Sequence, residues 1–89
     1  MVKIKFLGKF REITGEKEIE INHEGTLDEL LVILTERYSS EFAESLFNED
    51  GEIKDYMKLL INGEDPNSLG EYLMHEKDEL VIFQTIAGG

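Results

Sequence analysis

The sequence predicts one α+β domain whose elements run strand, strand, helix, strand, strand. Three observations carry that expectation. Apolar and charged residues alternate at the N-terminus. A helix-start signal introduces leucines at spacings of three and four. Two further short apolar runs follow, the first of them closed by Asn62-Gly63. With 89 residues the chain has length for one hydrophobic core and too little for two.

Val2, Ile4 and Phe6 alternate with Lys3 and Lys5, the period of a strand with one buried face. Gly8 and Gly15 bound a segment long enough for a short helical turn, after which Lys17 to Ile21 resumes alternation with Ile19 and Ile21 on one face. These two strands are expected to pair as a hairpin. Thr26 precedes Glu29 by three residues, the capping-box spacing at which each side chain satisfies a backbone N–H of the other residue. Leu27, Leu30, Leu31, Leu34 and Tyr38 then form one apolar stripe, which marks the main helix. Ser39 or Ser40 can cap a second, shorter helix carrying Phe42, Leu46 and Phe47 and ending near Asn48 to Gly51.

Tyr56 to Ile61 reads as a largely buried strand stopped by Asn62-Gly63, a pair that tolerates the positive φ of tight turns. Pro66 marks a loop, and a helical turn is expected over Ser68 to Leu73. Leu80 to Gln84 is apolar on both faces, the pattern of a central strand. The domain is expected to span residues 1–84. Residues 85–89 are too few and too small-sided to form an element and are expected to be a flexible tail in solvent.

Apolar residues make up 40% of the chain and charged residues 33%, and five Phe and three Tyr can anchor a core, so disorder is not expected. Twenty acidic residues against nine basic ones leave a net charge of −11, which repels phosphate backbones and anionic lipid headgroups. Nucleic acid and membranes are therefore not expected partners. A basic protein surface is, though the same charge also serves solubility. There is no cysteine, hence no disulfide, thiolate metal site or cysteine nucleophile. No signal peptide or membrane span is legible, so a cytoplasmic location is expected.

Chemistry is sparse along the folded part. His23 and His75 stand apart from any patterned ligand and are expected to be structural or surface residues; no metal site is expected. Asn48 to Glu52 is acidic but lacks the alternating ligands of a calcium loop. Ser39 and Ser40 have no neighbouring base and read as caps. Lys77-Asp78-Glu79 reads as a solvated turn, and Phe83 as core. No GxGxxG or GxxxxGK[ST] string occurs, so no nucleotide or other cofactor site is expected and no catalytic residue is assigned to the chain itself.

The remaining candidate is the end, Thr85-Ile86-Ala87-Gly88-Gly89. Glycine has no Cβ and adopts almost any φ, so an extended Gly-Gly end can thread a narrow channel and present its carboxylate. A carboxylate resists nucleophiles until one oxygen becomes a good leaving group, as in an acyl-adenylate made from ATP by another protein.

Val2 to Gly8, the Arg11 to Gly15 turn, the helix start from Gly25 to Leu30 and the Gly88-Gly89 end together resemble a ubiquitin-like sulfur carrier, over essentially the whole chain. The branch they resemble most is the small subunit of molybdopterin synthase and the archaeal small modifier proteins. The resemblance implies the β-grasp fold, a mixed four- to five-stranded sheet on one main helix with short helices beside it. It further implies that an adenylating enzyme of the ubiquitin-activating type modifies the Gly89 carboxylate, which then becomes a thiocarboxylate. Residues Thr85, Ile86, Ala87 and Gly88 would thread the partner's active site.

In that family's synthase the large subunit supplies the catalytic residues and the tail gives sulfur to a cyclic pterin precursor, which makes the small subunit a non-catalytic carrier. Attack by a substrate-protein lysine on the activated Gly89 would instead make the chain a protein modifier. A plain interaction module with an incidental Gly-Gly end is the third reading. The segment Ser39 to Asp55, an insertion relative to thiamine-pathway carriers, favours the molybdopterin branch. Many relatives place a glycine where this chain has Lys77, and paired prolines where it has Gln84-Thr85.

Overall fold

The computed structural model describes residues 1–38, 40–54, 56–70 and 72–85. Strand β1, Val2–Phe6, buries Val2, Ile4 and Phe6 and leaves Lys3 and Lys5 half-buried, as the alternation requires. Helix α1, Lys9–Thr14, sinks Phe10 into the core and stops at Gly15, whose φ of 74° is the left-handed end a helix C-terminus favours. Strand β2, Glu18–Ile21, returns antiparallel to β1 with Ile4 opposite Ile19. The hairpin expected from sequence is present.

Helix α2, Leu27–Arg37, opens with the full capping box. The Glu29 N–H donates to Thr26 Oγ1 at 3.2 Å and the Thr26 N–H donates to Glu29 Oε1 at 3.0 Å. Gly25 makes this closure possible: a Cβ there would stand 2.8 Å from Glu29 Oε1, at a φ of 152°. Leu30, Leu31 and Leu34 are buried, and Leu27 and Tyr38 pack against them at the margin. Helix α3, Ser40–Leu46, buries Phe42 and Leu46 and ends one residue before the partly buried Phe47. Ser40 is the first residue of the helix rather than its cap, and Ser39, the other candidate, lies outside the described residues.

Strand β4, Met57–Ile61, ends in the tight turn at Asn62-Gly63, where φ is 52° and 84°. The expected helical turn is displaced toward the N-terminus. It is a 3₁₀ turn at Pro66–Leu69 rather than Ser68 to Leu73, because Asp65 Oδ1 accepts the Asn67 N–H and Pro66 supplies a preset φ at the first position. Gly70, at φ 65°, ends it. Leu73 belongs instead to strand β5, Leu73–Met74, which pairs with strand β3, Gly25–Thr26, in a two-residue ladder too short to show periodicity.

Strand β6, Glu79–Gln84, is central as expected, and the main sheet runs β2-β1-β6-β4, with β6 parallel to β1 and antiparallel to β4. Its two faces differ more than the expectation of burial on both allowed. Leu80 and Ile82 are fully buried against the helices, whereas Val81 and Phe83 are half-buried on the opposite face. The helices thus cover one side of a mixed sheet, an α+β arrangement. Among the described residues no helix is long and apolar enough to cross a membrane.

Candidate functional site

The candidate tail follows in sequence the end of β6, the strand held on both sides by neighbours. Of its five residues the structure describes Thr85; Ile86, Ala87, Gly88 and Gly89 lie outside the described residues. Both the backbone N–H and the Oγ1 of Thr85 donate to the Tyr56 carbonyl, at 2.8 Å and 3.0 Å. That pair adds one rung to the β4–β6 ladder, since Met57 already faces Gln84 in register. Residue type offers no reason to single out Tyr56, because its part is played by a backbone oxygen.

Around this root the face of the sheet turned away from the helices carries a small apolar patch between charges. Val81 lies between Lys5 of β1 and Leu60 of β4, and Phe83 lies beside Lys58. Lys5 Nζ is 3.6 Å from Glu79 and Lys3 Nζ is 3.8 Å from Glu18, so both lysines are paired on the surface. The reading of Phe83 as core is corrected here. It shares a face with Val81, opposite to the fully buried Leu80 and Ile82. The parity of that strand was the signal, had Leu80 and Ile82 been taken as the inward pair. Tyr56 is 45% exposed beside the root, with Lys54 Nζ 5.8 Å from its ring centroid.

The start of β6 is held by a polar cluster, not by the solvated turn expected at Lys77 to Glu79. Asp78 is only 3% exposed. Its Oδ1 accepts from Asn62 Nδ2 at 2.9 Å, and its Oδ2 accepts from the Tyr72 hydroxyl and the His75 N–H, each at 2.9 Å. Burial pushes the Asp78 carboxyl up, but the hydrogen bonds from Asn62, His75 and Tyr72 outweigh it and leave the group below the usual carboxylate range. Tyr72 moves the opposite way, raised chiefly because its hydroxyl donates to that carboxylate. Lys77 takes a φ of 78°, the conformation a glycine adopts without strain.

The remaining singled-out residues have structural surroundings. His23 is buried, with Nε2 3.1 Å from the Thr26 carbonyl, an arrangement that needs the ring proton on that nitrogen. His75 lies on the surface beside Tyr72, ring centroids 5.9 Å apart. Asn48 Oδ1 accepts the N–H groups of Asp50 and Glu52, which turns the acidic loop upon itself. Among the described residues no three His, Asp or Glu side chains gather to hold a metal ion. The reactive group on which the tail hypothesis turns is the terminal carboxylate, and the structure supplies its root.

Comparison with known proteins extends over the whole chain. The ThiS family profile matches residues 4–89. Small archaeal modifier protein 3 of Haloferax volcanii is 27% identical over 92 residues, covering 99% of this chain and 98% of that protein. The crystal structure of SAMP1 from Haloferax volcanii superposes with a TM-score of 0.78 at 27% identity, covering 99% of this chain and 98% of that one. The solution structure of small archaeal modifier protein 1 from Methanosarcina acetivorans gives 0.79 at 29% identity, over 99% and 95% of the two chains. These ubiquitin-like neighbours agree with the β-grasp architecture.

Proposed function

The chain belongs to the ThiS family, and from that membership we propose that it is a sulfur carrier acting through the carboxylate of Gly89. The observation that carries the proposal is the extent of the family match, which runs through Gly88-Gly89 as well as the folded part. A partner of the ubiquitin-activating type adenylates the carboxylate: a carboxylate oxygen attacks the α-phosphate of ATP and pyrophosphate leaves. Hydrosulfide then attacks the acyl carbon, AMP leaves with the former carboxylate oxygen, and the product is a thiocarboxylate. Residues 86–89 beyond the Thr85 rung span at most about 14 Å when extended, a length suited to a narrow channel.

The acceptor we propose is a cyclic pterin precursor, with the chain as small subunit of a molybdopterin synthase whose large subunit holds the catalytic groups. The length of the segment between α2 and β4 supports this branch over shorter carriers. A second reading, protein modification through an isopeptide bond from Gly89 to a substrate lysine, is favoured by the names of the relatives, small archaeal modifier proteins of two archaea. Both readings share the activation step and differ in the nucleophile that ends it. The half-buried patch of Val81, Phe83 and Leu60 beside the tail root supports docking of either partner on that side of the sheet.

Intact mass of the protein recovered from cells containing the matching activating enzyme tests both readings. An oxygen-to-sulfur increment, lost when Gly88 and Gly89 are deleted, is the expected result. Lysine conjugates without that increment would replace the carrier reading by the modifier. An unchanged carboxylate would overturn both.

A further inference from the structure

Strand β4 is an edge of the main sheet, and the ladder fixes which of its backbone groups face outward. At one end Thr85 N–H bonds the Tyr56 carbonyl; at the other, Asn62 N–H bonds the Glu79 carbonyl at 2.8 Å. Alternation between those two rungs turns Lys58 and Leu60 toward β6 and turns the N–H and C=O of Met57, Leu59 and Ile61 away from it. Of the outward residues, Met57 is partly and Ile61 fully engaged. Met57 N–H donates to the Lys54 carbonyl, and Ile61 exchanges both bonds with Glu64 across the tight turn. Among the described residues, the C=O of Met57 and both groups of Leu59 have no backbone partner.

This edge opens into a groove of about 860 Å³ between β4, the start of α2 and the segment from Asp65 to Leu73. Met57, Leu59 and Ile61 form its apolar wall, with Ile53 and Tyr72 beside them. Leu73 on the rim is 64% exposed. Among the described residues of the rim the charges are polarised: Lys54 precedes β4 and Lys58 is its second residue, whereas Asp65 follows the turn at its end and Asp28 stands in the first turn of α2. An unpaired edge above an apolar trough is completed by a strand, since a strand alone supplies alternating backbone donors and acceptors in register.

We propose that this groove is a docking site for an extended peptide segment of a partner protein, added antiparallel to β4 and separate from the tail. Three backbone bonds define the register. A central peptide residue exchanges two with Leu59, and the residue two positions further donates to the Met57 carbonyl. The central side chain points to the apolar wall. In that direction the peptide's N-terminal part lies near Asp65 and its C-terminal part near Lys54, so a segment with a basic residue first and an acidic residue last fits the polarity. A second copy of this chain fits less well, because each carries a net charge of −11 and the two would repel.

The probe is the capped pentapeptide Lys-Thr-Val-Thr-Glu, titrated into the full chain while backbone amide shifts are followed by NMR. We expect the Leu59 amide to shift progressively and to gain protection from exchange. Methylating the valine nitrogen, which keeps charge and side chains but removes one donor, should weaken binding at least about fivefold. The groove is refuted as a strand site by absent binding, by shifts confined to Lys5, Val81 and Phe83, or by indifference to the methyl group. A Leu59 shift that follows protein concentration without peptide, together with a dimer mass, would assign the edge to a second copy and overturn the proposal.

Discussion

The hydroxyl of Tyr38, just past the end of α2, donates to Glu16 Oε2 at 2.7 Å across 22 positions of sequence. This ties the helix to the loop between α1 and β2. The Tyr38 ring packs edge-on against Phe6, centroids 5.7 Å apart, and beside Phe42 at 5.4 Å. Burial of that ring, helped by the bond to Glu16, pushes the phenol up to about 12. Because the folded value is raised, its contribution to stability is intact below the ordinary tyrosine value near 10 and is lost as pH rises through the folded one. Spectrophotometric titration should show late phenolic absorbance from Tyr38 and Tyr72, of which Tyr38→Phe should remove the Tyr38 part and leave that of Tyr72. Glu16→Gln should lower the Tyr38 step only in part, since burial is the larger cause. A fall all the way to the ordinary value would show that the ion had been dominant.

Lys77 holds a φ of 78° without the permissiveness of glycine. A left-handed residue with a Cβ costs about 1–2 kcal/mol, and part of that is offset by the greater freedom of glycine in the unfolded chain. Lys77→Gly should therefore stabilise the protein by about 0.5–1 kcal/mol, seen as a rise of roughly 2–8 °C in thermal midpoint. A fall would mean that the lysine side chain stabilises the turn by more than its backbone strain.

The same turn shows where sequence reading ran out. Val2-Ile4-Phe6, the Thr26-Glu29 box and the Leu30-Leu34 stripe were legible because each is a local periodicity that one covering layer satisfies. Asp78 was not, since its burial is made by Asn62 and Tyr72, 16 and 6 residues away, and three successive charged residues look alike to local pattern. Strands β3 and β5 are two residues each, below the length at which period 2 can be recognised. At the candidate site the Gly88-Gly89 end was legible as composition. The Tyr56 anchor was not, because a carbonyl oxygen leaves no mark on residue type.

Asp78 makes the fold sensitive to acid. Its carboxyl is depressed in the folded state, so the stabilisation is present above the unfolded value of about 3.9 and is lost as pH falls through the folded one. Asp78→Ala leaves the donors of Asn62, Tyr72 and His75 facing an apolar methyl group. The expected cost at pH 7 is about 2–3 kcal/mol by urea denaturation. Asp78→Asn should cost less and flatten the stability profile below about pH 4. If Asp78→Asn retained the full acid dependence of the parent, the titrating group would have to lie elsewhere.

Thr85 offers a way to separate the root of the tail from its end. Its N–H and its hydroxyl converge on the same Tyr56 oxygen, so the hydroxyl helps to fix Thr85 itself on the β4–β6 ladder without entering any chemistry. Thr85→Val preserves shape and the backbone rung while removing one donor. If the tail is read by an activating enzyme as proposed, the less firmly fixed root should raise KM for the carrier about three- to tenfold, corresponding to one hydrogen bond of order 1 kcal/mol, with kcat nearly unchanged. Thr85→Ser should restore the parent value, because it returns the oxygen. A drop in kcat at constant KM would place Thr85 at the reacting end instead, and an unchanged KM would mean that the backbone rung alone fixes the root.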